Sequence, residues 1–420
     1  MKLNNIGRGA LASILSLAMG LGVTACSRNY TLAYVYVTTS QPLAGSSLDG
    51  GISAYGVDYQ SGALIPLADS PIPAGKNPVT LVASPASANG QFLYVVNRDD
   101  STVMEFSIGT DGKLYLKNTY NTTGSLPVAA AIDAAGTFLY VVNTYQNNLP
   151  DNTQLYTPAS PGPGSVTIFK IAADGSLTAA GTVNVGNKPV GIAASTRNNY
   201  VYVIDQETEG GVNPVGVALG YSQDPTSGAL TPTTGGTVVL NGVPIANGYP
   251  AGTKPSAIAE DPSARFVYVT DQDTNQLYGY VTGGSGELVT MTSGPYRTGV
   301  RPVGITIDPR GKYLYAANYN DNNISAYAID IATGAPSGTV GSTATLVGTS
   351  PTCIAIEPAL GKYLYTSNYL DGTVSGEKLD AHNGGLTSVQ NTPFPSSGLP
   401  TCAVAVANGA YGHPNQIINP

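Results

Sequence analysis

The run Phe92-Leu93-Tyr94-Val95-Val96-Asn97 decides the fold. It joins aromatic and β-branched residues over the length of one strand and stops on a turn former. It recurs as Phe138-Leu139-Tyr140-Val141-Val142-Asn143, Tyr200-Val201-Tyr202-Val203-Ile204-Asp205 and Phe266-Val267-Tyr268-Val269-Thr270-Asp271. Two further copies are Tyr313-Leu314-Tyr315-Ala316-Ala317-Asn318 and Tyr363-Leu364-Tyr365-Thr366-Ser367-Asn368, and a degenerate seventh is Ala33-Tyr34-Val35-Tyr36-Val37-Thr38. The central tyrosines stand 46 residues apart from Tyr94 to Tyr140, 47 from Tyr268 to Tyr315 and 50 from Tyr315 to Tyr365. Gaps of 62 and 66 flank Tyr202, where Gly/Pro/Asn-rich insertions fall.

Each Tyr run sits inside a longer unit. A Pro-led run of small and aliphatic residues precedes it, as in Pro302-Val303-Gly304-Ile305-Thr306, followed by a tight turn, Asp308-Pro309-Arg310-Gly311-Lys312. After the Tyr run comes a third strand such as Ile324-Ser325-Ala326-Tyr327-Ala328-Ile329. A second hairpin signal, Asp174-Gly175-Ser176-Leu177 for example, then opens a fourth strand at its Leu. Four antiparallel strands per unit of about 40–50 residues predict an all-β fold, a seven-bladed β-propeller. Both faces of the Tyr strands are apolar, as stacked blades require. Residues 30–39 lack a Pro-led strand before them, while Pro400-Thr401-Cys402-Ala403-Val404-Ala405-Val406 is a spare one. The C-terminal strand is therefore expected to complete the N-terminal blade and close the ring.

Charged residues are 10% of the 420-residue chain, the net charge is −8 and the pI is near 4.7, which argues against nucleic-acid binding. Lys2 and Arg8 precede an apolar segment from Ala10 to Val23, too short to span a bilayer stably. Val23-Thr24-Ala25-Cys26 resembles a bacterial lipobox. The resemblance implies a signal peptide over 1–25, lipidation of Cys26 and a tether over 26–32. The propeller would follow over 33–408, with a tail over 409–420, tied to the cell envelope on the periplasmic side or at the cell surface. Cys353 and Cys402 occupy matching Pro-Thr-Cys contexts. They read as a disulfide in an oxidising compartment, or as two small buried residues.

The Tyr-Val-Val-Asn and Tyr-Val-Thr-Asp strands, with the Asp-Pro-x-Gly-Lys-Tyr-Leu-Tyr turn over 308–315, resemble the lactonase-like seven-bladed propellers. That is the family of bacterial 6-phosphogluconolactonase and the YVTN-repeat proteins. The likeness runs from about residue 30 to residue 408. It speaks for fold more than for activity, because propellers host many functions. It implies a lactone hydrolase that places a His with Arg and Glu on one face.

Topology puts the Pro starts and the Asn/Asp strand ends on one face. The insertions at 40–50, 144–164, 206–214 and 235–253 are expected there too. Lys188, Lys254 and Arg301 each precede the Pro of an innermost strand, and Lys76 lies two before Pro78. They would form a cationic mouth for an anionic ligand, with Asn97, Asn143, Asn318 and Asn368 beside them. Asp205, Glu207 and Asp271 border the same mouth. No metal or other cofactor is called for, and the chain is expected to be a monomer.

Two functions are compatible with this arrangement. The first is a lipid-anchored propeller that binds an anionic small molecule, a glycan or a protein partner. Tyr145, Tyr156, Tyr249, Tyr296, Tyr319 and Tyr369 would supply contacts from the loops. The alternative is a lactonase-type hydrolase, with Asp205 or Asp271 as base and Arg301 stabilising the oxyanion. The only histidines, His382 in a hairpin on the opposite face and His413 in the tail, depart from the family's pattern and favour the binder.

Overall fold

A computed structural model describes residues 31–43, 45, 49–87, 89–146, 163–207, 214–338 and 344–409. The readings made for the signal peptide and Cys26, for Tyr156, and for His413 and the tail beyond residue 409 lie outside these residues. The described chain forms seven antiparallel blades. Blade 6 shows the plan: Pro302–Ile307 is innermost, Tyr313–Asn318 second, Asn323–Ile329 third, and Pro336–Gly338 with Ala344–Leu346 forms the outer edge. The outer strand is continuous in blades 2 and 3 (Leu114–Asn121 and Leu177–Val185) and split into two pieces in the other five.

The ring closes as the sequence predicts. Thr31–Thr39 pairs with Asp49–Asp58 on one side and with Pro400–Ala407 on the other. Tyr34 lies opposite Val406, Tyr36 opposite Val404 and Thr38 opposite Cys402. Cys353 and Cys402, on neighbouring innermost strands, form a disulfide with Cα atoms 4.9 Å apart.

Each signature position of the repeat has a separate role. The Tyr strands are buried on both sides because each is sandwiched by its neighbours; all six residues of Tyr313–Asn318 are buried. Tyr315 and Ala317 of blade 6, for example, pack with Ile354 and Leu364 of blade 7. The central Tyr then reaches across the gap. Its hydroxyl donates to the carbonyl of a hairpin glycine in the next blade: Tyr36 to Gly112, Tyr94 to Gly175, Tyr140 to Gly228, Tyr202 to Gly286, Tyr268 to Gly334, Tyr315 to Gly384 and Tyr365 to Gly62. All seven bonds fall between 2.6 and 3.2 Å, and the last crosses the seam. Burial pushes the phenol pKa up at every one of these positions, so the hydroxyl stays a donor.

Gly384 explains why that partner is glycine. Its φ is +73°, and a Cβ would run into the ring of Tyr313, the residue that opens the blade 6 repeat.

Candidate functional site

Pro302 pairs with Asn318, and Pro351 with Asn368, so strand starts and strand ends do share a face. The strand ends on either side of three of the expected insertions, Thr39 and Asp49, Gln146 and Gly164, Asp205 and Val217, lie on that face, while residues 147–162 and 208–213 fall outside the described residues. The insertion expected at 235–253 does not open there. It interrupts the outer strand of blade 4 between Leu230–Pro232 and Gly248–Pro250, and carries its own hairpin, Val239–Leu240 with Val243–Pro244. It therefore decorates the rim of the wheel.

The strand-end asparagines are a second correction. Asn97, Asn143, Asn318 and Asn368 are each 0% exposed. Asn97 accepts from the Gly75 amide at 3.0 Å and donates to Thr102. Asn318 donates to Asn323 and Ser325, Asn368 to Thr373 and Ser375, and Asn143 to Ser165 and Thr167. These side chains turn inward and pin the segments around them, which removes them from a ligand's reach. Tyr249, at 1% exposure, is likewise packed away.

In blades 4 and 5 the strand-end residue is Asp, and it sits under a cation. Asp205 accepts from the Lys188 amide at 2.9 Å and from Asn187. Asp271 accepts from the amides of Thr253, Lys254 and Asp273 and from the Thr274 hydroxyl. Both oxygens of Asp271 accept bonds from the fold, as do both oxygens of Asp205, and the two residues are each 0% exposed. What sets Asp205 apart is its neighbour: burial, reinforced by the adjacent Glu207, pushes its pKa well up. Glu207 accepts from the Asn187 side chain at 2.7 Å and is only half-buried. The pair sets one buried carboxyl, whose proton is held more tightly than usual, beside a second carboxyl nearer the solvent.

The cations gather in part. Lys254 and Arg301 line one cleft of about 420 Å³ with Gln272, Asp273, Asn275 and Asn320. The Lys188 ammonium is pushed down in pKa by burial and then by Lys254, so these two charges lie within reach of each other. Asp205 opposes that shift. Lys76 stands 3.5 Å from Asp100. The Arg301 guanidinium lies 4.6 Å from the ring centre of Tyr319, and its Nε donates to Gln272 at 3.4 Å.

His382 lies in the hairpin of blade 7, on the opposite face, its amide bonded to Asp380. Gln272, Asn275 and Asn320 were missed in the sequence. The signal available for Gln272 was its place immediately after a strand-end Asp.

The lactonase seven-bladed β-propeller family matches residues 48–150 and 229–356, more than half of the chain. No curated protein matches the sequence. Among solved structures, a provisionally named 6-phosphogluconolactonase from Bacteroides fragilis is 21% identical with a TM-score of 0.68, covering 90% of this chain and 99% of that one. The periplasmic gluconolactonase of Pseudomonas aeruginosa is 18% identical with a TM-score of 0.68, covering 90% of this chain and 99% of that one. At these identities the likeness to the two structures is one of fold. The chain belongs to the lactonase family of seven-bladed β-propellers.

Proposed function

We propose that this propeller hydrolyses an anionic lactone at its loop-rich mouth. The carrying observation is the cleft shared by Lys254 and Arg301, with Lys188 alongside and the Asp205–Glu207 pair at the edge of the same face. The names of the structural relatives point the same way. Lys254 and Arg301 hold the substrate's carboxylate or phosphate. The carboxyl pair takes a proton from water as the water oxygen bonds to the lactone carbonyl carbon, and Lys188, which feels the charge of Asp205, stabilises the oxyanion. Collapse breaks the ring C–O bond, and the proton passes to the departing ring oxygen. The product is the open hydroxy acid.

The test is turnover of a panel of charged and neutral lactones by the purified protein. We expect selective opening of anionic lactones, with KM raised by Arg301→Ala. If no lactone is opened, yet inorganic phosphate binds in a way that depends on Arg301, the mouth is a binding site only. The position of His382 on the far face favours that second reading.

We further infer that Cys26 carries the lipid and holds the protein in the cell envelope. Cys26→Ser should release the protein into the soluble envelope fraction; retention in the membrane fraction would contradict the anchor.

A further inference from the structure

We propose that Asn275 is a positioning residue for anion capture, acting through Arg301. The inference rests on the reading of the mouth as an anion site. Arg301 has a φ of +58°, a left-handed backbone that a bulky residue adopts only when its surroundings impose it. It also precedes Pro302, which narrows the allowed backbone further. In that conformation the Arg301 amide donates to Asn275 Oδ1 at 2.7 Å, a bond that holds it. Asn275 is itself left-handed, with φ at +57°.

The same joint occurs twice more. The Ser350 amide (φ +58°) donates to Asn322 (φ +54°) at 2.8 Å, and the Leu126 amide (φ +52°) donates to Ser101 (φ +54°) at 3.2 Å. In each case a turn residue of one blade holds the residue just before the leading proline of the next blade, Pro302, Pro351 or Pro127. Only at the junction of blades 5 and 6 is the held residue a cation. There the joint sets the direction in which a guanidinium leaves the backbone. Tyr319 covers one face of that guanidinium and Gln272 takes its Nε. Among the described residues neither Nη atom has a hydrogen-bond partner. The outer edge of the fork is therefore presented to the cleft, the geometry that suits two oxygens of one anion.

The experiment titrates inorganic phosphate by calorimetry into the full-length protein and three variants, and measures KM and kcat on any anionic lactone that is opened. Asn275→Ala should weaken phosphate binding about tenfold and raise KM while kcat holds. Asn275→Ser should restore both, since serine makes this bond at Ser101. Asn322→Ala breaks the equivalent joint over a serine and should leave phosphate binding unchanged. Wild-type phosphate affinity in Asn275→Ala would overturn the proposal, as would equal weakening by Asn322→Ala. If no lactone is opened, the phosphate titrations still decide it; the proposed reaction then fails while the positioning role stands.

Discussion

The two rims of the wheel are joined by different logics. On the short-turn rim every blade is tied to the next by the same bond, from a repeat tyrosine to a hairpin glycine, seven times without exception. On the loop-rich rim the ties recur at some junctions and not at others. Ser256 bonds the Pro302 carbonyl, Thr401 that of Pro78, and Gln206 that of Pro255. Asn275 and Asn322 hold amides across their junctions. A repeating rim can carry the stability of the ring, leaving the other free to vary and bear chemistry. The same difference explains why the cations, the Asp205–Glu207 pair and three of the positive-φ joints collect on one side.

That contrast can be broken at its strongest point first. Asp205→Asn should lower kcat by about 10²–10⁴-fold, the range for a lost general base, and leave the melting temperature near wild type. Because burial and Glu207 raise the Asp205 pKa, kcat/KM should climb with pH above the ordinary carboxylate range. It should fall earlier than a normal lysine dictates, since burial and Lys254 lower the pKa of Lys188. Next in size is the seam. Reduction of Cys353–Cys402, which spans 49 residues, should cost about 2–4 kcal/mol by denaturant titration and spare KM. On the repeating rim, Tyr315→Phe strands the Gly384 carbonyl and should cost about 1–2 kcal/mol with activity intact. Loss of activity in that variant would erase the division between the rims. The smallest effect concerns Glu377, whose pKa burial pushes up to about 7. The folded chain holds this proton more tightly than the unfolded chain. Its stabilisation is complete below the ordinary glutamate pKa and is lost as pH rises towards 7. The melting temperature should drop by roughly one or two degrees over that window, and Glu377→Gln should flatten it.

Much of the wheel was readable because its signals repeat. A Tyr strand seven times over, and a spare Pro-led strand at the end, leave little choice of topology. The partner of each tyrosine was not readable. Tyr94 and Gly175 are 81 residues apart, and nothing local to either names the other. The mouth was readable where charge stood next to a proline, as at Lys254 and Arg301. It was misread at Asn97 and Asn318, because a polar residue at a strand end looks the same whether it faces solvent or turns inward. Asn275 was invisible because its role depends on a left-handed turn that brings it under the next blade.

The clasp at the seam bears on how the molecule is made. Cys402 lies on the last strand of the ring, and the fold holds it against Cys353 when that strand is docked beside the blade 7 strand Pro351–Ile356. Until then Thr31–Thr39 offers a bare sheet edge to anything nearby. Oxidation of the pair is therefore a timestamp on completion: thiols that resist early labelling mark a finished wheel, and thiols that react mark a chain still waiting for its end.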